Sequence, residues 1–154
     1  MTASAVVAEL LRRHETVATC ESLTAGLLVA ELTTVPGSSA VVRGGLVTYA
    51  TDLKTSLAGV PADLVATRGV VSREVAEAMA VGVRRVCGAT WGVGLTGVAG
   101  PDPLDGRPPG TVCLSVAGPT GAVSIETVLP GDRAAVRAAT VRAALGLLAR
   151  SIAR

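Results

Sequence analysis

Thr16-Val17-Ala18-Thr19-Cys20-Glu21-Ser22 is an uncharged run that ends on a carboxylate and a hydroxyl. Three of its first five residues are β-branched, so it reads as a short buried strand that stops at Glu21-Ser22. Residues 23–33 return to helical spacing, and Pro36-Gly37 closes that segment. Ser22 therefore stands where a strand gives way to a helix. Just upstream, Val6, Val7, Leu10 and Leu11 share one helical face across residues 5–13.

The alternation continues downstream. Residues 41–49 are β-branched and interrupted by glycine, which predicts a strand, and a short helix follows around residues 52–57. Ser72 is placed to cap a helix running to Val86. Its apolar stripe is Val75, Met79, Val83 and Val86, opposite Arg73, Glu77, Arg84 and Arg85. Residues 89–96 read as a core strand and residues 97–110 as a loop rich in glycine and proline. Residues 111–117 and 122–129 read as strands, and Gly118-Pro119-Thr120-Gly121 joins them as a hairpin. Asp132 caps a last helix with the stripe Val141, Leu145, Leu148 and Ile152. The pattern predicts an α/β chain: a mixed β-sheet with helices on both faces, a three-layer α/β/α sandwich formed as a single domain over residues 1–154.

Composition narrows the function. The chain has 154 residues, of which 49% are hydrophobic and 17% charged; disorder needs the opposite balance. The richest apolar stretches, 27–30 and 145–149, are far shorter than the roughly 18 residues a membrane span requires. No basic residue precedes an apolar segment at the start of the chain, so a cytoplasmic protein with no membrane role is expected. Tyr49 and Trp91 are the only aromatic residues, too few for a platform on which nucleic acid bases stack. The net charge of +2 carries no basic cluster, and no nucleic acid partner is expected. Cys20, Cys87 and Cys113 lie far apart, an odd count that suggests buried thiols and not a disulfide framework or zinc site. One histidine and scattered acids give no metal-ligand spacing. The small, apolar chain leaves room for a homodimer.

Thirteen of the fourteen basic residues are arginine, and the one lysine is Lys54. A guanidinium cannot give up its proton in a protein, whereas an ammonium can, so Lys54 is a candidate base. Ser22 is either a helix cap or a nucleophile. The backbone amides of Leu23, Thr24 and Ala25 are candidate donors to an oxyanion. His14, the other base, falls at the end of the first helix, a surface position. Lys54 follows a strand end and can return to the same sheet edge, and the Tyr49 hydroxyl can relay a proton or simply close a half-buried position. Thr96, Gly97 and Gly100 stand at the end of a core strand, where backbone can approach a ligand closely. Arg133 opens the last helix against the dipole preference, which fits an anion-binding role.

Taken together, T-C-E-S-L-T-A-G (residues 19–26), G-G-L-V-T-Y-A-T-D-L-K (44–54), G-V-V-S (69–72), G-L-T-G-V-A-G-P (94–101), P-G-T-V (109–112) and G-D-R (131–133) occur in one order. The chain so resembles the CinA carboxy-terminal domain, the nicotinamide-nucleotide amidohydrolase family. That resemblance implies an enzyme that hydrolyses the carboxamide of nicotinamide mononucleotide to nicotinate mononucleotide and ammonia, in pyridine nucleotide recycling, with no metal or organic cofactor. It implies Ser22 as nucleophile, Lys54 as its base and Tyr49 as an assisting residue. Thr24, Ala25, Thr96, Gly97, Gly100 and Arg133 would shape the nucleotide pocket. Longer family members carry a preceding domain with a different activity, which is not carried over. Leu23 and Ala25 stand where the family often has Cys and Gly, and the loop 101–107 departs from the usual P-x-G-G. Two rival readings are a nucleotide-binding regulatory module without turnover and an amidase for another carboxamide.

Overall fold

A computed structural model describes residues 2–154. Along the chain lie α1 (Ala3–Arg13), β1 (Val17–Glu21), α2 (Leu27–Thr33), a 3-10 turn (Ser38–Ala40), β2 (Val42–Val47), α3 (Thr51–Ala58), α4 (Ala62–Arg68), α5 (Arg73–Cys87), β3 (Trp91–Gly97), β4 (Thr111–Gly118), β5 (Gly121–Val128) and α6 (Arg133–Ile152). The five strands form one mixed sheet in the order β2-β1-β3-β4-β5. β2, β1 and β3 are parallel, whereas β4 and β5 are antiparallel and joined by the expected hairpin.

Helices cover both faces, giving the three-layer α/β/α sandwich. One core layer joins α1, α2 and α6 to the sheet through Val6, Leu10, Leu28, Leu32, Val93 and Leu148. The other joins α3, α4 and α5 to it through Ala58, Val75, Met79, Val83, Ala18 and Cys20. Every residue of β1 is buried, and its side chains alternate between the layers: Val17 lies in the first, Ala18 and Cys20 in the second. This alternation sends Glu21 toward α2 and Ser22 toward α3.

α5 lies close on the sheet because Gly92 and Gly94 give it room. A Cβ at Gly94 would collide with the Ala76 carbonyl, and one at Gly92 with the Ala80 carbonyl. Gly82 of α5 in turn receives the Ala58 carbonyl at the end of α3. Sheet, α5 and α3 are thereby stacked in fixed register.

Four sequence expectations change. The helix expected over 23–33 begins at Leu27, because Ala25 and Gly26 adopt φ of +48° and +96° and turn the chain first. The strand expected over 41–49 is confined to Val42–Val47, at the sheet edge. α4 was not expected; its seven residues are too few to show a period. Val86, placed on the buried stripe of α5, is 53% exposed at the helix's last turn. No helix among the described residues is long and apolar enough to cross a membrane.

Candidate active site

The carboxyl ends of β1 and β3 border a cleft of about 380 Å³ whose wall includes Ser22, Leu23, Tyr49, Gly97, Gly100 and Arg133. Ser22 prolongs β1, donating its N–H to the Leu95 carbonyl of β3 at 3.0 Å. Its side chain turns toward α3, where Lys54 is 1% exposed. Lys54 Nζ donates to Ser22 Oγ at 3.1 Å and to the Thr48 carbonyl at 2.8 Å. The Thr48 N–H in turn donates to the Glu21 carbonyl at 2.9 Å, so both partners of the lysine hang on the end of β1.

No carboxylate pairs with Lys54 among the described residues. Burial pushes its pKa below the usual lysine value, with Cys20 as the only opposing influence. The Cys20 thiol is itself pushed up to about 11 by burial, so it stays protonated at neutral pH and supplies no counter-charge. Once Nζ is neutral, one N–H still serves Thr48 while its lone pair can accept the Ser22 hydroxyl proton.

Glu21 shapes the turn that follows Ser22. Fully buried, its carboxylate accepts the Thr19 hydroxyl at 3.0 Å and the Thr24 hydroxyl at 2.6 Å. It also accepts the amides of Gly26 at 3.0 Å, Leu28 at 3.1 Å and Val29 at 2.9 Å. α2 has only Gly26 at its cap position, with no capping side chain, so Glu21 performs the cap from the neighbouring strand. Sequence reasoning passed over Glu21. A helix expected to begin at residue 23 already has Ser22 as its candidate cap, so the sequence carries no signal for a cap supplied by Glu21.

The expected oxyanion donors are corrected accordingly. The amides of Gly26, Leu28 and Val29 are taken by Glu21, that of Leu27 by the Thr24 carbonyl at 3.0 Å and that of Ala25 by the Ser22 carbonyl at 3.0 Å. The amides of Leu23 and Thr24, on a buried stretch, make no hydrogen bond among the described residues. An unpaired buried amide is costly and rare; of these two residues, Leu23 is on the wall of the cleft that holds Ser22 and Thr24 is not.

The other expected site residues divide. Gly97, Gly100 and Arg133 line the cleft. Tyr49 lines it too, but it is 56% exposed and its hydroxyl accepts from Arg133 Nη2 at 2.8 Å; it makes no hydrogen bond to Ser22 or Lys54. Thr96 is not on the cleft wall: buried, its hydroxyl donates to the Val70 carbonyl at 2.8 Å and ties β3 to the start of α5. The Thr24 side chain is spent on Glu21. Ala25 faces a neighbouring cleft instead of this one. His14 ends α1 in the left-handed region at φ 55°, exposed. No group of three or more potential metal ligands occurs among the described residues.

The CinA C-terminal domain profile matches residues 1–152. A CinA-like protein of Frankia casuarinae is 49% identical over 148 residues, which is 96% of this chain and 34% of that protein. A putative competence-damage inducible protein of a Geobacillus species is 42% identical over 94% of this chain and 35% of its own length. The chain thus spans about a third of the length of these curated relatives. The crystal structure of a CinA superfamily protein from Klebsiella pneumoniae superposes with a TM-score of 0.95 at 30% identity, covering 98% of this chain and 95% of that one. That of a competence/damage inducible protein from Agrobacterium tumefaciens gives 0.93 at 35% identity, covering 99% and 93%. With the profile spanning nearly the whole chain and the overall fold in agreement, the chain belongs to the CinA family as a CinA C-terminal domain.

Proposed function

We propose that this domain hydrolyses the carboxamide of nicotinamide mononucleotide, releasing ammonia and nicotinate mononucleotide through a Ser22–Lys54 dyad. The observation that carries the reading is the 3.1 Å approach of Lys54 Nζ to Ser22 Oγ in the cleft, with no counter-ion on the amine. A cleft of about 380 Å³ is of the size that takes a small ligand.

Neutral Lys54 removes the Ser22 hydroxyl proton as Oγ bonds to the amide carbon. The carbonyl oxygen takes up the negative charge toward the Leu23 amide. Lys54, now an ammonium, returns the proton to the leaving nitrogen, and ammonia departs as the carbon–nitrogen bond breaks. Water, deprotonated by the same amine, then attacks the ester, freeing the carboxylate and regenerating Ser22. Tyr49, Gly97, Gly100 and Arg133 line the part of the cleft that would receive the nucleotide, with Tyr49 as wall and not relay.

Ser22→Ala and Lys54→Arg should each lower ammonia release from nicotinamide mononucleotide by about 1,000-fold in folded protein, since neither retains a nucleophile–base pair. Near-wild-type release by either variant overturns the dyad. A ligand-induced rise in melting temperature without any ammonia favours the regulatory module, and faster release from an unrelated carboxamide favours another substrate.

A further inference from the structure

The loop after β3 supplies Pro101, Asp102, Pro103 and Leu104 to the wall of the Ser22 cleft. It ends in a tight hairpin. Leu104 and Arg107 exchange backbone hydrogen bonds of 3.1 and 2.8 Å. Asp105 and Gly106 between them adopt φ of +51° and +73°, the left-handed pair that a two-residue hairpin turn demands and that Asp-Gly supplies. Pro103 precedes the hairpin and Pro108 follows it, so the chain is restricted on either side.

Arg107 fastens this hairpin to two separate elements. Its guanidinium makes a fork to the Glu126 carboxylate of β5, at 3.0 and 2.9 Å. Its Nε and Nη2 each donate to the Val71 carbonyl at 3.3 Å, one residue before the Ser72 cap of α5. The other ion pairs among the described residues join near neighbours in sequence. A half-exposed ion pair contributes little by itself, but two sets of hydrogen bonds on one planar group fix its orientation.

Leu104 is thereby held at the cleft with 46% of its surface exposed. Leu23, Val98 and Ala99 also line the cleft, but they are buried in the fold. Leu104 and Tyr49 are the large apolar side chains that the cleft leaves accessible, and apolar wall of this kind is what a ligand ring packs on.

We propose that the Leu104–Arg107 hairpin is the specificity wall of the Ser22 cleft. Leu104 lies against the ring that carries the carboxamide, and Arg107 is a positioning residue that holds Leu104 there. This rests on the amide-hydrolase reading of the cleft and adds a substrate class to it, carboxamides borne on a planar ring.

The test is a double-mutant cycle in ammonia release from nicotinamide mononucleotide. L104A should raise KM about 10-fold and leave kcat within about twofold of wild type, because Ser22 and Lys54 lie off the loop. R107A should raise KM by a similar factor, and R107K, which keeps the charge and loses the fork, by less. Since Arg107 acts through Leu104, L104A/R107A should be no worse than the poorer single variant. Effects on KM that multiply, or a loss confined to kcat, overturn the positioning role; wild-type KM in L104A overturns the wall. A merely structural arginine would lower stability in urea and leave KM of the folded protein unchanged. Should R107A fail to fold, E126Q removes the charged partner while the Val71 contacts stay, and its KM should rise in the same direction; an unchanged KM overturns the fastening. Inhibition by nicotinate mononucleotide should weaken in L104A, whereas ribose 5-phosphate, which lacks the ring, should act on both proteins alike; equal weakening overturns the ring contact. If the wild-type protein releases no ammonia, the amidase reading fails separately, and the same cycle is read in the Kd for nicotinamide mononucleotide by calorimetry. A Kd that L104A leaves unchanged, or no binding at all, overturns the wall.

Discussion

Lys54 and Glu21 are both buried ionisable side chains, yet the fold treats them oppositely. Five donors converge on the Glu21 carboxylate, whereas Lys54 meets two uncharged oxygens and no counter-ion. An ammonium taken out of water without a partner is disfavoured, and its pKa falls. If neutral Lys54 is the base, kcat/KM should rise with pH through a single protonation whose midpoint lies below 10.5; a rate that is flat, or that falls as pH rises over that range, removes the amine from the mechanism. Stability is linked to the same proton. The unfolded chain binds it more readily, so stability falls as pH drops from the unfolded value of about 10.5 toward the lower folded value, and levels off below it. Lys54→Met removes the burden and should be more stable than wild type at pH 7 in urea denaturation. That advantage should narrow as pH is raised toward 10.5, while activity is lost.

At the scale of elements, the turn between β1 and α2 sets the chemistry. The apolar spacing would let a helix begin directly after Ser22, but Glu21 draws the amides of Gly26, Leu28 and Val29 to itself, and the chain reverses through Ala25 and Gly26 before α2 starts. Leu23 and Thr24 are left with unpaired amides beside the nucleophile. Glu21→Gln places an NH2 among five donors and should destabilise the protein by about 2–4 kcal/mol. Its kcat should fall well before KM changes, because the Leu23 amide loses its alignment. Urea denaturation and steady-state kinetics check the two effects separately; a variant with wild-type kcat at full folding contradicts the assignment.

For the molecule as a whole, the separation between layers determines whether Ser22 meets Lys54. Ser22 belongs to the sheet and Lys54 to α3, which reaches the sheet through α5: Gly92 and Gly94 admit α5, and Gly82 admits the end of α3. Gly94→Ala pushes α5 outward and should cost about 2–3 kcal/mol. It should also lower activity by shifting α3, although neither cleft contains Gly94. Trp91, the single tryptophan, is 6% exposed and donates to Glu15 at 2.7 Å, so its fluorescence reports the sheet. Fluorescence and far-ultraviolet circular dichroism should unfold together at a lower denaturant concentration than in wild type.

Periodicity alone determined most of the elements and the layer class, since buried strands and amphipathic helices are local patterns of apolar spacing. It marked Asp132 and Ser72 as caps, which they are, and composition singled out Lys54 as the one lysine. Other features arise only where elements meet. Thr24 and Thr96 were expected at the ligand, but both hydroxyls are consumed inside the fold, because which donors remain free depends on acceptors brought near by distant chain. Tyr49 was expected beside the dyad; α6 holds it at the rim through Arg133. The cap formed by Glu21, the pairing of Arg137 with the Leu23 carbonyl across 114 residues of sequence and the contact between Lys54 and Ser22 are tertiary facts. Each depends on the register between layers, which a one-dimensional pattern of side chains does not encode.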